Sequence, residues 1–187
     1  MNIEKGKRDC SAGVRALDIV SVLRTTTGFV IEEKSGSRIE LQLDGNTTLG
    51  ILKPDTITRG IEKVVYARIA EDGLGMLITD RRKLVPKDIC FLYPAHVGKP
   101  YFSEIEGFMT SCECEIFLAH GANALQRLNA LVGNTDPSKA VGGTIRGDLY
   151  AKQRALPQFP NVYQNVLHSS SSIDDSKREI VYFLRIR

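Results

Sequence analysis

An α/β (α+β) sandwich, a four-stranded antiparallel sheet with helices packed on it, is the fold class this sequence predicts. Three observations carry it. Apolar runs of strand length recur along the chain: "TTLGILK" at 47–53, "LGMLITDRRKLV" at 74–85, "CECEIFLAHG" at 112–121 and "NVLHSS" at 165–170. Between them lie segments whose apolar residues return at helical spacing. The order of the two kinds is β-α-β-(α-α)-β-α-loop-β-α, which divides into two β-α-β halves.

Each element has a local reason. Residues 1–12 read as a disordered terminus. "GFVIEEKSGSRIELQLDGN" (28–46) alternates apolar and polar residues about a Gly-containing turn and reads as a β-hairpin, an appended element. This sets residues 1–46 apart as an extension and 47–187 as the main domain. Residues 47–53 form a short buried strand. Pro54-Asp55 then opens one helix over 54–73, with Ile61, Val64, Val65 and Ile69 on one face and Gly73 at its end. After the strand at 74–85, "PKDICFLYPAHV" and "PYFSEIEGFMTS" are two helical pieces broken at Pro94 and Pro100. A third strand precedes the helix "NALQRLNALVGN", which carries Leu125, Leu128, Leu131 and Val132 on one side. "NTDPSKAVGGTIRGD" (134–148) is a turn-rich loop. The fourth strand leads into a last helix at 172–184, where Ser172 and Asp175 have capping-box spacing. A ferredoxin-like βαββαβ arrangement with helices on one face of the sheet satisfies this order.

Composition narrows the function. The 187 residues are 42% hydrophobic and 25% charged, with a net charge of +3. These values suit a globular chain with a sizeable core and an anionic ligand. There is no basic stripe with interleaved aromatics, which argues against nucleic acid as a partner. No apolar run has membrane-spanning length, and "MNIEKGKRDC" leads into no signal-peptide core. The four cysteines lack a second pair of ligands at zinc-like spacing, so reduced thiols and a cytoplasmic location are expected.

The chemistry must come from side chains, because the sequence contains neither G-x-x-x-x-G-K-[ST] nor G-x-G-x-x-G. Lys53 ends a strand, Arg146 stands beside Thr144 in "GGTIRGD", and Thr135 follows a helix; each suits anionic oxygen. His168 ends the fourth strand. A neutral imidazole is a nucleophile at pH 7 if one nitrogen is free and the other is held by an acceptor. Glu179, eleven residues on, is placed to be that acceptor, and Ser170 to support it. His96 lies three residues from Tyr93 and so near any pocket that Tyr93 lines; His120 reads as structural.

"TTLGILKPDTITRG", "LVGNTDP", "GGTIRGD", "NVLHSSSS" and "SKREI", in that order, resemble the nucleoside diphosphate kinase family from about residue 47 to 184. The resemblance implies transfer of the γ-phosphate of a nucleoside triphosphate to a nucleoside diphosphate, in a ping-pong cycle through a phosphohistidine at His168. It implies that Glu179 orients that ring with Ser170 beside it, and that Tyr93 stands close to it. It implies that Lys53 and Asn165 meet the sugar hydroxyls, Lys53 also reaching phosphate, and that Thr135 and Arg146 hold phosphate. Tyr101, Val162 and Ile105 would enclose the base. Mg2+ would arrive on the nucleotide phosphates with no dedicated protein ligands, and the chain would form a homo-oligomer (dimer, tetramer or hexamer).

Three positions depart from the family's pattern. Asn129 stands where an arginine phosphate ligand is usual; Arg127, two residues away, points elsewhere on a helix and would have to reach around. A lost charge-assisted hydrogen bond costs about 1.5–3 kcal/mol, which predicts weaker binding or slower turnover. The 150–164 loop is long, and its Lys152 and Arg154 are candidate compensating cations. Ser171 replaces a common aspartate. Asn129 favours an alternative reading, a catalytically weakened nucleotide-binding or interaction protein on the same scaffold.

Overall fold

The structure is a computed structural model and describes residues 14–150 and 155–185. Its central sheet is built from β5 (Thr47–Leu52), β6 (Gly75–Lys83), β7 (Glu113–His120) and β8 (Leu167–Ser169). All contacts among these four are antiparallel, with β5 between β7 and β8 and with β6 on the far side of β7. This is the ferredoxin-like order. A fifth strand, β1 (Val14–Ala16), adds to the edge of β6 in parallel, pairing Val14 with Met76 and Ala16 with Ile78. The sheet therefore exceeds the four strands expected. The expectation of disorder at residues 1–12 lies outside the described residues.

Alternation along the strands divides the core in two. Leu49, Ile51, Leu77, Ile116 and Leu118 face one side; Leu52, Met76, Phe117 and Ala119 face the other. The second face is covered by α2 (Glu62–Glu71), through Val65 and Ile69, and by α5 (Ala124–Val132), through Leu128 and Val132. The first is covered by α3 (Pro86–Leu92), α4 (Phe102–Met109) and α7 (Ile173–Phe183). Helices thus lie on both faces rather than one. All six residues of β5 are buried in consequence. Its Gly50 admits the Phe117 ring: a Cβ there would lie 2.1 Å from the Phe117 Cζ.

The expected hairpin is present as β3 (Gly28–Glu33) and β4 (Arg38–Gln42), extended by β2 (Ile19–Arg24) into a three-stranded antiparallel sheet. One face of this sheet enters the main core. Phe29, Ile31 and Leu41 are at most 6% exposed and belong to the same apolar cluster as Leu49, Ile51 and Ile180.

Two further expectations change. The helix foreseen over 54–73 is two helices, α1 (Pro54–Arg59) and α2. Gly60 adopts φ +62° at the break, and its N–H closes the end of α1 on the carbonyls of Thr56 and Ile57. The 134–148 loop contains a 3-10 turn at Pro137–Lys139 and the short helix α6 (Ile145–Leu149). Thr144 starts α6 by accepting a hydrogen bond from the Gly147 N–H at 3.1 Å. Ser172 caps α7 by accepting from the Asp175 N–H at 3.0 Å, as its spacing predicted. Among the described residues no helix is long and apolar enough to cross a membrane.

Candidate functional site

The site gathers where β5, β8 and the loop after α5 meet. Its backbone depends on Val166, a β-branched residue held at φ +73°, a conformation that costs energy for any L-residue with a Cβ. Three bonds hold it there. The Val166 N–H donates to Asp55 Oδ2 at 3.0 Å, and the Val166 carbonyl accepts from the Lys53 N–H at 2.9 Å and from the Thr56 hydroxyl. The kink sets Asn165 on one side of the turn and starts β8 on the other. β8 then pairs His168 with Ile51.

His168 and Glu179 meet across this junction. Nε2 of His168 lies 3.0 Å from Glu179 Oε2, and Ser170 Oγ donates to the same oxygen at 2.7 Å. The carboxylate is an acceptor, so it places the ring proton on Nε2 and leaves the lone pair on Nδ1. The Glu179 side chain is 3% exposed and that of His168 12%, so the pair is sheltered while the ring still lines a cleft. The Tyr93 ring stands edge-on to the imidazole at a centroid distance of 5.9 Å. Burial, then the Glu179 charge, pushes the Tyr93 phenol well above its usual range, so it keeps its proton.

The cations converge beside this pair. Lys53 Nζ donates to Asn165 Oδ1 at 2.6 Å, while Asn165 Nδ2 donates to the Thr135 carbonyl at 2.7 Å. Burial, and then the neighbouring Arg146, push the Lys53 ammonium down to about 8, with Asp55 pulling the other way. Arg146 is 6% exposed; Nε donates to the Asn165 carbonyl, and its two terminal nitrogens to the carbonyls of Gly133 and Leu167. Burial lowers its pKa to about 10, which leaves it charged. It staples the turn around Val166 and keeps two N–H donors for a ligand.

The resulting cleft has two lobes. The polar lobe, about 710 Å³, is lined by Lys53, Tyr93, Thr135, Arg146, Asn165, His168 and Glu179, all anticipated from the sequence. The second, about 350 Å³ and largely apolar, brings in Tyr101, Ile105 and Val162. Lys53, Tyr93, Thr135 and Asn165 line both lobes and join them. Ser170 is fully buried behind Glu179 and does not line the cleft.

Other residues of the cleft escaped the sequence reading or stood at its margin. His96 lines both lobes, with Nδ1 3.2 Å from the Tyr101 hydroxyl. Asp175 and Arg178 line the polar lobe; their places, four and one residues before Glu179 on one turn of an amphipathic helix, were the available signal. Asp55, which holds Val166, left no local signal at all. Arg127 does not reach the cleft: it donates to the Asp72 carbonyl and pairs with the Asp72 carboxylate at 3.0 Å. Lys152 and Arg154 lie outside the described residues.

Fold and cleft together define a class: an α/β protein whose sheet end presents a carboxylate-held histidine to a cationic, two-lobed cleft. The family model for nucleoside diphosphate kinase matches residues 46–187. A nucleoside diphosphate kinase 2 of Protochlamydia amoebophila is 33% identical over 138 residues, 74% of this chain and 90% of that protein. The nucleoside diphosphate kinase of Frankia casuarinae is 35% identical over 136 residues, 73% of this chain and 93% of its own. Among solved structures, a halophilic nucleoside diphosphate kinase from Halobacterium salinarum in complex with CDP superposes with a TM-score of 0.64. That likeness has 29% identity and covers 73% of this chain and 86% of that one. A transition-state mimic of the Borrelia burgdorferi enzyme, with bound vanadate and ADP, gives 0.63 at 27% identity, covering 72% and 83%. This chain belongs to the nucleoside diphosphate kinase family.

Proposed function

We propose that the chain is a nucleoside diphosphate kinase working by a ping-pong mechanism through His168. The observation that carries this reading is the 3.0 Å contact of His168 Nε2 with Glu179, which leaves Nδ1 as the nucleophile. The Nδ1 lone pair attacks the γ-phosphorus of a nucleoside triphosphate. The N–P bond forms as the bond from phosphorus to the β,γ-bridging oxygen breaks, and the nucleoside diphosphate leaves with that oxygen. Glu179 stabilises the ring as it gains positive charge. A terminal β-phosphate oxygen of a second nucleoside diphosphate then attacks the phosphohistidine, and the electron pair returns to Nδ1.

The rest of the cleft serves alignment and charge. Lys53 and the two spare N–H groups of Arg146 meet the polyphosphate, with the Thr135 hydroxyl beside them. Asn165 and Lys53, at the junction of the lobes, suit the sugar hydroxyls. Tyr101, Ile105 and Val162 offer a ring face and apolar walls to any base. Among the described residues no group of three His, Cys, Asp or Glu is placed to hold a metal. Asp175 and Glu179, the acids of the cleft, are engaged with Ser172 and Arg178 and with His168 and Ser170 respectively. In this reading Mg2+ would arrive on the nucleotide phosphates and neutralise their charge there. Assembly as a homo-oligomer is part of the same proposal, and mass in solution tests it.

Incubation with γ-labelled ATP decides the main question. The protein is expected to take up acid-labile, base-stable label, and His168→Ala none. An unlabelled wild type would favour the nucleotide-binding alternative; an equally labelled alanine variant would remove His168 from the mechanism.

A further inference from the structure

Asn129 occupies the last turn of α5 and lines the polar lobe, where its family pattern would put a cation. Its amide is committed at both ends. Nδ2 donates to the Ser170 carbonyl at 2.9 Å, and Oδ1 accepts from the Ser169 hydroxyl at 2.7 Å. The two residues it grips directly follow His168. Ser170 in turn donates to the Glu179 oxygen that holds the imidazole. The backbone at this point has only a thin hold on the sheet: β8 is three residues long, and the Ser170 N–H reaches the Leu49 carbonyl at 3.3 Å.

We propose that Asn129 and Ser169 form an amide–hydroxyl clamp that fixes the end of β8, and that Asn129 is thereby a positioning residue for His168 instead of a phosphate ligand. The proposal rests on the kinase reading for its kinetic consequences, though not for the clamp itself. A nucleophile has to be held to a fraction of an ångström for in-line attack, and beyond its three paired residues this strand end meets β5 only through the Ser170 N–H and hydroxyl on the one Leu49 carbonyl, at 3.3 Å each. The clamp adds two bonds from a different element and ties α5 to the residues that set the His168–Glu179 geometry. An arginine has no acceptor and cannot receive the Ser169 hydroxyl proton as Asn129 Oδ1 does, so the substitution exchanges a charge for a reciprocal pair of bonds.

Asn129→Ala, Ser169→Ala and the double variant are compared with Ser169→Thr, which keeps the hydroxyl. Rapid-quench phosphorylation by ATP gives the rate of transfer to His168 and the ATP concentration for half-maximal rate. Ser169→Ala, which removes one of the bonds, is expected to transfer about three- to tenfold more slowly, and Asn129→Ala, which removes both, at least as slowly, each with half-saturation within about twofold of wild type. The double variant should be no slower than the worse single one, since both remove one shared contact. Ser169→Thr should retain the wild-type rate. Unchanged transfer with a raised half-saturating concentration in Asn129→Ala makes that residue a phosphate ligand and overturns the proposal. So do multiplying effects in the double variant, or unchanged rates throughout. Imidazole 15N spectra provide a readout independent of activity. Wild type should show His168 as one Nε2–H tautomer, and both single variants a mixture. If the wild type takes up no phosphate, the kinase reading fails while these spectra still decide the clamp, and identical spectra would refute it.

Discussion

Replacing Arg146 with methionine separates its structural from its ligand-binding role, because methionine keeps most of the aliphatic stem and removes the fork. The fork makes three bonds to backbone carbonyls, at 3.1 Å to Asn165, 2.9 Å to Gly133 and 2.8 Å to Leu167. A hydrogen bond from a charged donor contributes about 1.5–3 kcal/mol, so the three together represent about 5–9 kcal/mol. Against this stands the cost of burying the charge. That cost appears as the fall in pKa from 12.5 to about 10 and corresponds to about 3 kcal/mol. The net loss expected is about 2–6 kcal/mol, or roughly 5–20 °C in Tm for a chain of this length. Differential scanning calorimetry without nucleotide measures it, and label uptake at a temperature where the variant is folded measures the catalytic share. A fall of less than about 2 °C, close to what 1 kcal/mol gives, would refute the argument that this arginine staples the turn around Val166.

Two further outcomes follow from the same geometry. Burial lowers the Lys53 pKa to about 8 from 10.5, so between these values the unfolded chain binds more protons and the free protein gains stability as pH rises. Phosphate binding needs the charged form, so kcat/KM should fall above about pH 8 while kcat, governed by the nucleotide-bound form, holds to higher pH; a flat kcat/KM to pH 9.5 would contradict this. Phe29 is 1% exposed in the common core, and Phe29→Ala should cost about 3–5 kcal/mol in urea unfolding, with one cooperative transition for the whole chain. A fragment of residues 47–187 that unfolds at the same urea concentration as the full chain would show instead that the extension is a detachable appendage.

The reach of the sequence can be judged residue by residue. His168 was visible because a strand pattern ended on it and a cap-and-helix pattern began just beyond. Glu179 was visible because its distance along that helix let it fold back. Tyr101, Ile105 and Val162 came only through the family resemblance, since nothing local distinguishes them from core residues. Asp55 and the donor role of Thr56 were invisible, because their partner, Val166, is more than a hundred residues away. Arg127 was expected to point away from position 129, but its attachment to Asp72 depends on α2 and α5 packing side by side. The break at Gly60 was missed because glycine is tolerated within a helical pattern, and only the realised φ of +62° identifies it as a stop.

By itself the sequence determined the kinds of element, their order and the side chains available for phosphoryl chemistry, since periodicity and capping are set by neighbours a few residues apart. Tertiary structure alone decided that both sheet faces are covered and that the N-terminal strands enter the common core. It also brought Lys53 to Asn165, 112 positions along the chain, and gave Asn129 its two serine partners. The physical reason is that each of these depends on close packing between distant segments. Burial there shifts a pKa, holds Val166 in a costly conformation and satisfies both ends of an amide, and no local pattern records any of the three.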